Sequence, residues 1–296
     1  KSKLILRSVL ILITLAFQAC SGKASPKPEA VKIKSAPWHR AVYNLSKIGV
    51  PEDTIWDLIN DPRFPPYTPI PFSLSPKESH VIYKGFLEAK RISEARTLYR
   101  KHLPLFQKAE EKYGVDGSII ASILFIESQF GANTGNHLVV YRFMRLAEIG
   151  SEENIKFNLK RLRLDDPKVK ESEVRKRAKL LEENFTPEIK SLLEYARENK
   201  IDPLTLKGSI AGAFGIPQFI PSSALNLSVD GDGDGKRSLF NLTDSIFSTA
   251  NFLRAHGWRS GLDLASRRQV IWHYNKSEAY ISAVIKLAAS LQQKRG

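Results

Sequence analysis

From about Lys77 to the C-terminus, apolar residues recur at three- and four-residue intervals, and no sustained two-residue alternation interrupts them. A chain with that period buries helix stripes, not sheet faces. The pattern predicts helices over 77–113, 116–130, 138–149, 152–163, 171–200, 243–256 and 278–293. Upstream, Leu45, Ile48, Ile55, Leu58 and Ile59 predict one more helix from Trp38 to Asn60. Between them, Asp61–Pro76 carries six prolines and must be irregular or extended, because proline donates no backbone hydrogen bond. The expected fold class is mostly α, without internal repeats. Over 151–200 acidic and basic residues interleave, which is how solvated helix faces look.

The N-terminal stretch points to export. Lys1, Lys3 and Arg7 precede an apolar run from Val9 to Phe17, followed by Gln18-Ala19-Cys20-Ser21-Gly22. A basic start, a short apolar core and small residues at a cleavage point read as a secretory signal. The run is shorter than the ~20 residues a bilayer span needs. Its end on Cys20, the only cysteine, is similar to a bacterial lipoprotein signal, so residues 1–19 are expected to be removed and Cys20 to carry lipid. An uncleaved anchor with an incidental cysteine is the other reading. Residues 20–36 have tether composition, and 37–296 form the expected functional domain. Its 37–110 part is helical and proline-rich; its 111–296 core carries a helical insertion at about 150–200. With one cysteine there is no internal disulfide, and no Cys/His cluster has zinc spacing. The formal charge of +14 falls to +11 without residues 1–19, which suggests a polyanionic partner. Export makes nucleic acid an unsuitable one.

Four segments carry chemistry. In Gly114–Gly131, Asp116 offers an N-cap and Gly131 a stop, and Ile119, Ile120, Ile123, Ile126 and Phe130 make a broad apolar stripe beside Glu127. A carboxyl at the buried end of such a helix has its pKa pushed up, as a general acid requires. A solvated glutamate paired with a basic residue fits the periodicity as well. In Lys207–Ser223, small residues alternate with apolar ones around Ser209 and Gln218, which suits a sugar-contacting loop or a tight helix–helix crossing. Asp230-Gly231-Asp232-Gly233-Asp234-Gly235-Lys236 fits the opening of an EF-hand loop, with oxygens from Asp230, Asp232, Asp234 and the Lys236 carbonyl. Asn241 stands where the closing glutamate belongs, and Asp244 could close a longer loop. A Gly/Asp surface turn is the alternative. In Trp272–Tyr280, Tyr274 and Tyr280 flank a helix start capped by Asn275 and Ser277, either for sugar stacking or as a core-facing pair.

In this order the four segments resemble the membrane-bound lytic murein transglycosylase B family, a lysozyme-like family. The matching stretches are GVDGSIIASILFIESQFGANTG, KGSIAGAFGIPQFIPSSA, VDGDGDGKRSLFNLTDSIFSTANFLRAHGW and HYNKSEAYISAV, about a third of the chain. The resemblance implies a lysozyme-like core, Glu127 as the single catalytic acid, and Ser209 and Gln218 beside the muramyl sugar. It places Tyr274, Asn275, Tyr280 and, with a one-residue difference in spacing, Tyr83 in the groove. It also implies a structural calcium ion on the loop closed by Asp244, and no cofactor for the chemistry. Phe252 stands where the family often has tyrosine, the 258–274 stretch is shorter than in longer members, and 138–200 is longer. The expected activity is non-hydrolytic cleavage of peptidoglycan between N-acetylmuramic acid and N-acetylglucosamine, leaving 1,6-anhydro ends. The expected setting is a monomer in the periplasm, lipid-anchored, with Ser21 after Cys20 favouring the outer membrane. A lysozyme-type hydrolase and a non-catalytic wall-binding lipoprotein are the rival readings.

Overall fold

The computed structural model describes residues 36–75 and 82–293. The expected signal, tether and Cys20 lie outside the described residues. In chain order the helices are α1 (His39–Lys47), α2 (Glu52–Asn60), α3 (Ala89–Lys101), α4 (Leu103–Tyr113), α5 (Gly117–Ser128) and α6 (Val139–Ala147). There follow α7 (Glu152–Asp165), α8 (Glu171–Glu198), α9 (Pro221–Leu227), α10 (Leu242–Ala255), α11 (Leu264–Tyr274) and α12 (Glu278–Gln292). Two short strands, β1 (His137–Leu138) and β2 (Lys207–Gly208), pair antiparallel. The fold is mostly helical, as the periodicity predicts. Among the described residues, no helix is long and apolar enough to cross a membrane.

Two expected helices are broken, each for a local reason. The 38–60 helix divides into α1 and α2 because Gly49 takes a left-handed φ of 83° and Pro51 follows it. The 77–113 pattern divides at His102, where Pro104 opens α4 and has no N–H to continue α3. Two helices were not expected at all, α9 and α11. Pro221 at the first position of α9 was their one clear start signal apart from the Asp263 cap of α11.

The described residues form two compact units, one of residues 36–75 with 140–190, the other of residues 82–139 with 191–293. The 140–190 helices thus group with residues 36–75, and 82–110 groups with the 111–139 segment. In the first unit, Trp38, Phe64, Tyr67 and Tyr141 meet edge to face, with Trp38–Tyr67 centroids 5.2 Å apart. The proline-rich segment is extended, as expected, and side chains satisfy its backbone where no strand can. Asn154 Oδ1 accepts from Ile70 N at 2.6 Å, and Asn158 Oδ1 accepts from Phe72 N at 3.0 Å. Arg145 donates to the Thr68 and Pro69 carbonyls, Tyr141 to Pro66, and Arg161 to Phe72. The 151–200 charges are partly the solvated network expected, as in Glu152–Arg175–Glu171. Glu182 departs from it, because it is buried and holds Arg40 through two bonds of 2.6 and 2.8 Å. The first turn of α1 has no cap of its own; Glu148 Oε2 accepts from Ala41 N at 2.7 Å, and burial pushes this carboxyl up to about 8.

The second unit is built around α5, which packs against α3, α4, α10 and α12. Of its twelve residues, eleven are buried. The exception is Glu127.

Candidate active site

Glu127 lies one residue from the end of α5, where the chain leaves the helix abruptly. Gln129 (φ 52°) and Phe130 (φ 58°) both adopt left-handed backbone before Gly131, so the stop expected at Gly131 comes two residues earlier. Such conformations disfavour non-glycine residues and persist only where packing and hydrogen bonds impose them. Here Ser128 does so. Its buried hydroxyl donates to the Ile216 carbonyl at 2.7 Å and accepts from Gly131 N at 2.9 Å, tying the helix end to the Lys207–Ser223 segment. Nothing in the motif pattern singled out Ser128 beyond its place after Glu127. At the other end of α5 the expected cap is absent: Asp116 pairs with Arg267 at 2.7 Å, and Glu110 accepts from Gly117 N instead.

Burial pushes the Glu127 carboxyl up to about 7. The Tyr280 hydroxyl is the one other group acting on it, and it lowers the pKa. That contact falls short of full hydrogen-bond geometry, so Tyr280 Oη is buried without a satisfied partner among the described residues. No second carboxylate shifts Glu127, which a neighbour within a few ångströms would do. The sequence left a solvated, paired glutamate open; among the described residues no Lys or Arg bonds this one.

The expected groove residues gather around this carboxyl. Tyr83 meets Tyr280 edge to face at 5.5 Å, and Asn275 Nδ2 donates to the Tyr83 hydroxyl at 3.4 Å. Asn275 Oδ1 is buried and unpaired among the described residues. Tyr274 lies parallel to Tyr280 at 6.4 Å and donates to the Pro217 carbonyl at 2.5 Å. Burial, then the Glu127 charge, raises the pKa of both Tyr274 and Tyr280 well above 10. Their hydroxyls therefore stay protonated donors. Asn275 ends α11, and Ser277 caps α12 by accepting from Tyr280 N at 3.0 Å. Phe252 is buried beneath Tyr274, 4.8 Å from its ring, and stacks on His256 at 4.2 Å.

The 207–220 segment is not a helix crossing. It is a compact turn system, with bridges between Gly208 and Phe214 and between Phe214 and Phe219. A Cβ on Gly208 would come within 2.3 Å of the Ala213 carbonyl, so the backbone needs glycine there. Gln218, left-handed at φ 51°, spends its amide N–H groups on the Gly215 carbonyl at 2.8 Å and the Thr134 carbonyl at 3.1 Å. Its Oε1 is left to accept. Ser209 is partly exposed, its backbone bound to Ala213 at 2.7 Å.

In the acidic loop, carboxylate oxygens of Asp230, Asp232 and Asp244 lie within 4.8 Å of one another. That is about twice a typical Ca–O distance of ~2.4 Å, so one ion could touch all three. The Asp234 carboxylate stands outside this group, accepting from Lys236 N at 2.8 Å. Asn241 caps α10 and donates to Asp232 at 2.7 Å. Burial raises the Asp244 pKa, and the Asp232 charge adds to that.

A helical scaffold that holds one carboxyl near neutrality, with protonated tyrosines beside it, is a scaffold for general acid–base chemistry. The family to which the chain belongs is that of the Transglycosylase SLT domain, whose profile matches residues 71–270. Over 182 residues it is 31% identical to membrane-bound lytic murein transglycosylase B of Escherichia coli (strain K12), covering 62% of this chain and 43% of that protein. The match therefore spans less than half of that relative. Soluble lytic transglycosylase SltB1 from Pseudomonas aeruginosa shares the fold at 24% identity and a TM-score of 0.62, over 85% of this chain and 97% of that one. Escherichia coli Slt35, solved in complex with calcium, does so at 21% identity and a TM-score of 0.63, over 86% and 92%.

Proposed function

We propose that the protein is a lytic transglycosylase that cleaves peptidoglycan between N-acetylmuramic acid and N-acetylglucosamine. The observation that carries this reading is Glu127, a lone carboxyl with a pKa of about 7 on an otherwise buried helix. Protonated, it gives its proton to the bridging oxygen as positive charge develops at C1. Deprotonated, it takes the proton of the muramyl C6 hydroxyl, whose oxygen closes on C1 to form the 1,6-anhydro ring. The bonds broken are C1–O to the leaving sugar and O–H of the C6 hydroxyl, the bond formed is O6–C1, and the hydroxyl proton restores Glu127. A retaining hydrolase needs a second carboxylate ~5–5.5 Å away, and none perturbs Glu127. Tyr274, Tyr280, Tyr83 and Asn275 form the wall against which the muramyl sugar packs. Gln218 Oε1 and Ser209 accept and donate to its hydroxyl and acetamido groups.

Asp230, Asp232 and Asp244 would hold a calcium ion, with Asp234 and the Lys236 carbonyl completing the loop on binding. The ion would tie that loop to α10 and takes no part in the reaction. The protein acts as a monomer, exported to the periplasm and lipid-anchored through Cys20 to a membrane, the outer one being favoured. Digestion of purified peptidoglycan followed by mass spectrometry of the sugar ends tests the reaction. Anhydro ends are expected. Reducing ends would make it a hydrolase, and undigested sacculi a binding protein.

A further inference from the structure

Arginines and lysines of the first unit are used differently. From Lys156 to Lys179, through α7, the turn after it and the start of α8, ten basic residues stand against four acidic ones, a net +6. The four arginines are engaged within the fold. Arg161, Arg163 and Arg177 donate to the carbonyls of Phe72, Val169 and Ser73, and Arg175 pairs with Glu152 and Glu171. Asp166 and Glu173 are engaged too, accepting from the backbone N–H groups of Lys168 and Lys170. The six lysines are all exposed, and among the described residues only Lys179 has an ion pair, a loose one of 3.8 Å with Glu183. Glu153 and Asp165 are the exposed acids left beside them.

Two large apolar side chains lie among these lysines. Phe157 and Leu164, 39% and 79% exposed, stand seven residues apart on one face of α7, with Lys160 between them and Lys156 alongside. Leu164 is the most exposed large apolar residue among the described ones. The inward face of the same helix carries the buried Asn154, Ile155 and Asn158. Apolar residues scattered singly over a surface need no explanation, but a stripe of them set between unpaired lysines is the pattern of a helix that lies on a membrane.

We infer that the outer face of α7 docks on an anionic lipid bilayer, with the lysine ammonium groups among the headgroups and Phe157 and Leu164 entering the edge of the acyl layer. A hydrated polyanion would satisfy the lysines and leave both apolar side chains in water, so the observations favour a membrane. The covalent path agrees. Cys20 precedes Ala36, the first described residue of this unit, by 16 positions, so a lipid there would hold the unit within about 55 Å of its bilayer. The docking face needs neither that lipid nor the catalytic reading.

A dye placed on the face of the full chain tests this. In a Cys20→Ser background, Leu164→Cys supplies the only thiol, and a solvatochromic dye on it reports whether that position leaves water. Its emission should shift to the blue on vesicles of about 30 mol% phosphatidylglycerol in phosphatidylcholine. Half of the shift should need at least about 10-fold more lipid on pure phosphatidylcholine, and again when Lys156→Gln and Lys160→Gln are added. The same dye at Lys101→Cys, exposed at the end of α3 in the other unit, should not shift. Should the labelled chain fail to fold, the dye at Phe157→Cys decides. An unshifted dye on protein that sediments with the vesicles would mean that other parts hold the chain, and would overturn the docking face. So would a shift equal on neutral and anionic lipid, a shift indifferent to the two lysines, or an equal shift at Lys101. Lysine-dependent binding of dextran sulfate, with the dye still in water on vesicles, would assign the face to a soluble polyanion instead.

Discussion

At the scale of single residues, Glu127 carries the most weight and the clearest test. Glu127→Gln keeps the shape but cannot cycle a proton, so turnover should fall by about 10²–10⁴-fold or more. Wild-type activity should decline as pH rises through about 7, because the acid form is lost. Stability should follow the same proton. The folded carboxyl holds it up to about 7, against an ordinary value of 4.5, so its contribution is complete below about 4.5 and lost as pH rises through 7. Allowing for the partial exposure of Glu127, the Gln variant should be about 2 kcal/mol more stable at pH 8, a few degrees in Tm, and indistinguishable near pH 4. A variant that keeps its activity, or that melts no higher at pH 8, would remove Glu127 from this role. Glu127 was legible because an apolar run and the order of neighbouring motifs both mark it. Ser128 was not, because its role is a bond to a carbonyl 88 positions along the chain. Asp116 was misread as a cap for a related reason: its partner, Arg267, stands 151 positions away.

Elements repeat the lesson. Most helices with a broad stripe were found to within a few residues; the 77–113 reading was not, since α3 begins only at Ala89, and α11 was missed, since Leu264–Tyr274 mixes charged, polar and apolar residues on every side. The acidic loop was legible as a pattern, but only geometry separates Asp230, Asp232 and Asp244 from Asp234. An ion at 100 times its Kd would add about 2.7 kcal/mol, a few degrees between calcium and chelator. Asp232→Ala and Asp244→Ala should each erase that difference. Asn241→Ala should lower the Tm in both conditions, by about 1 kcal/mol for the lost cap, and leave the calcium-dependent shift in place. A Tm identical with calcium and with chelator would dismiss the ion. Loss of the shift in Asn241→Ala alone would mean that the loop closes on the wrong residue.

For the molecule as a whole, composition foresaw a basic helical protein, and periodicity foresaw its class. It did not foresee that residues 140–190 group with residues 36–75, because that depends on polar bonds such as Asn154 to Ile70 and Arg40 to Glu182. The expected anchor has its own test. Cys20→Ala should shift the protein from the membrane fraction to the soluble one and abolish fatty-acid labelling; labelling that persists would rule out lipid at Cys20. The burial of α5 reaches further than the site it carries. Four helices cover it, so its backbone amides have no route to solvent except through cooperative opening of the surrounding unit. The carboxyl proposed as the acid is thereby placed on the slowest-exchanging part of its unit. Local fraying cannot switch it off, and heat inactivation and global unfolding become one event.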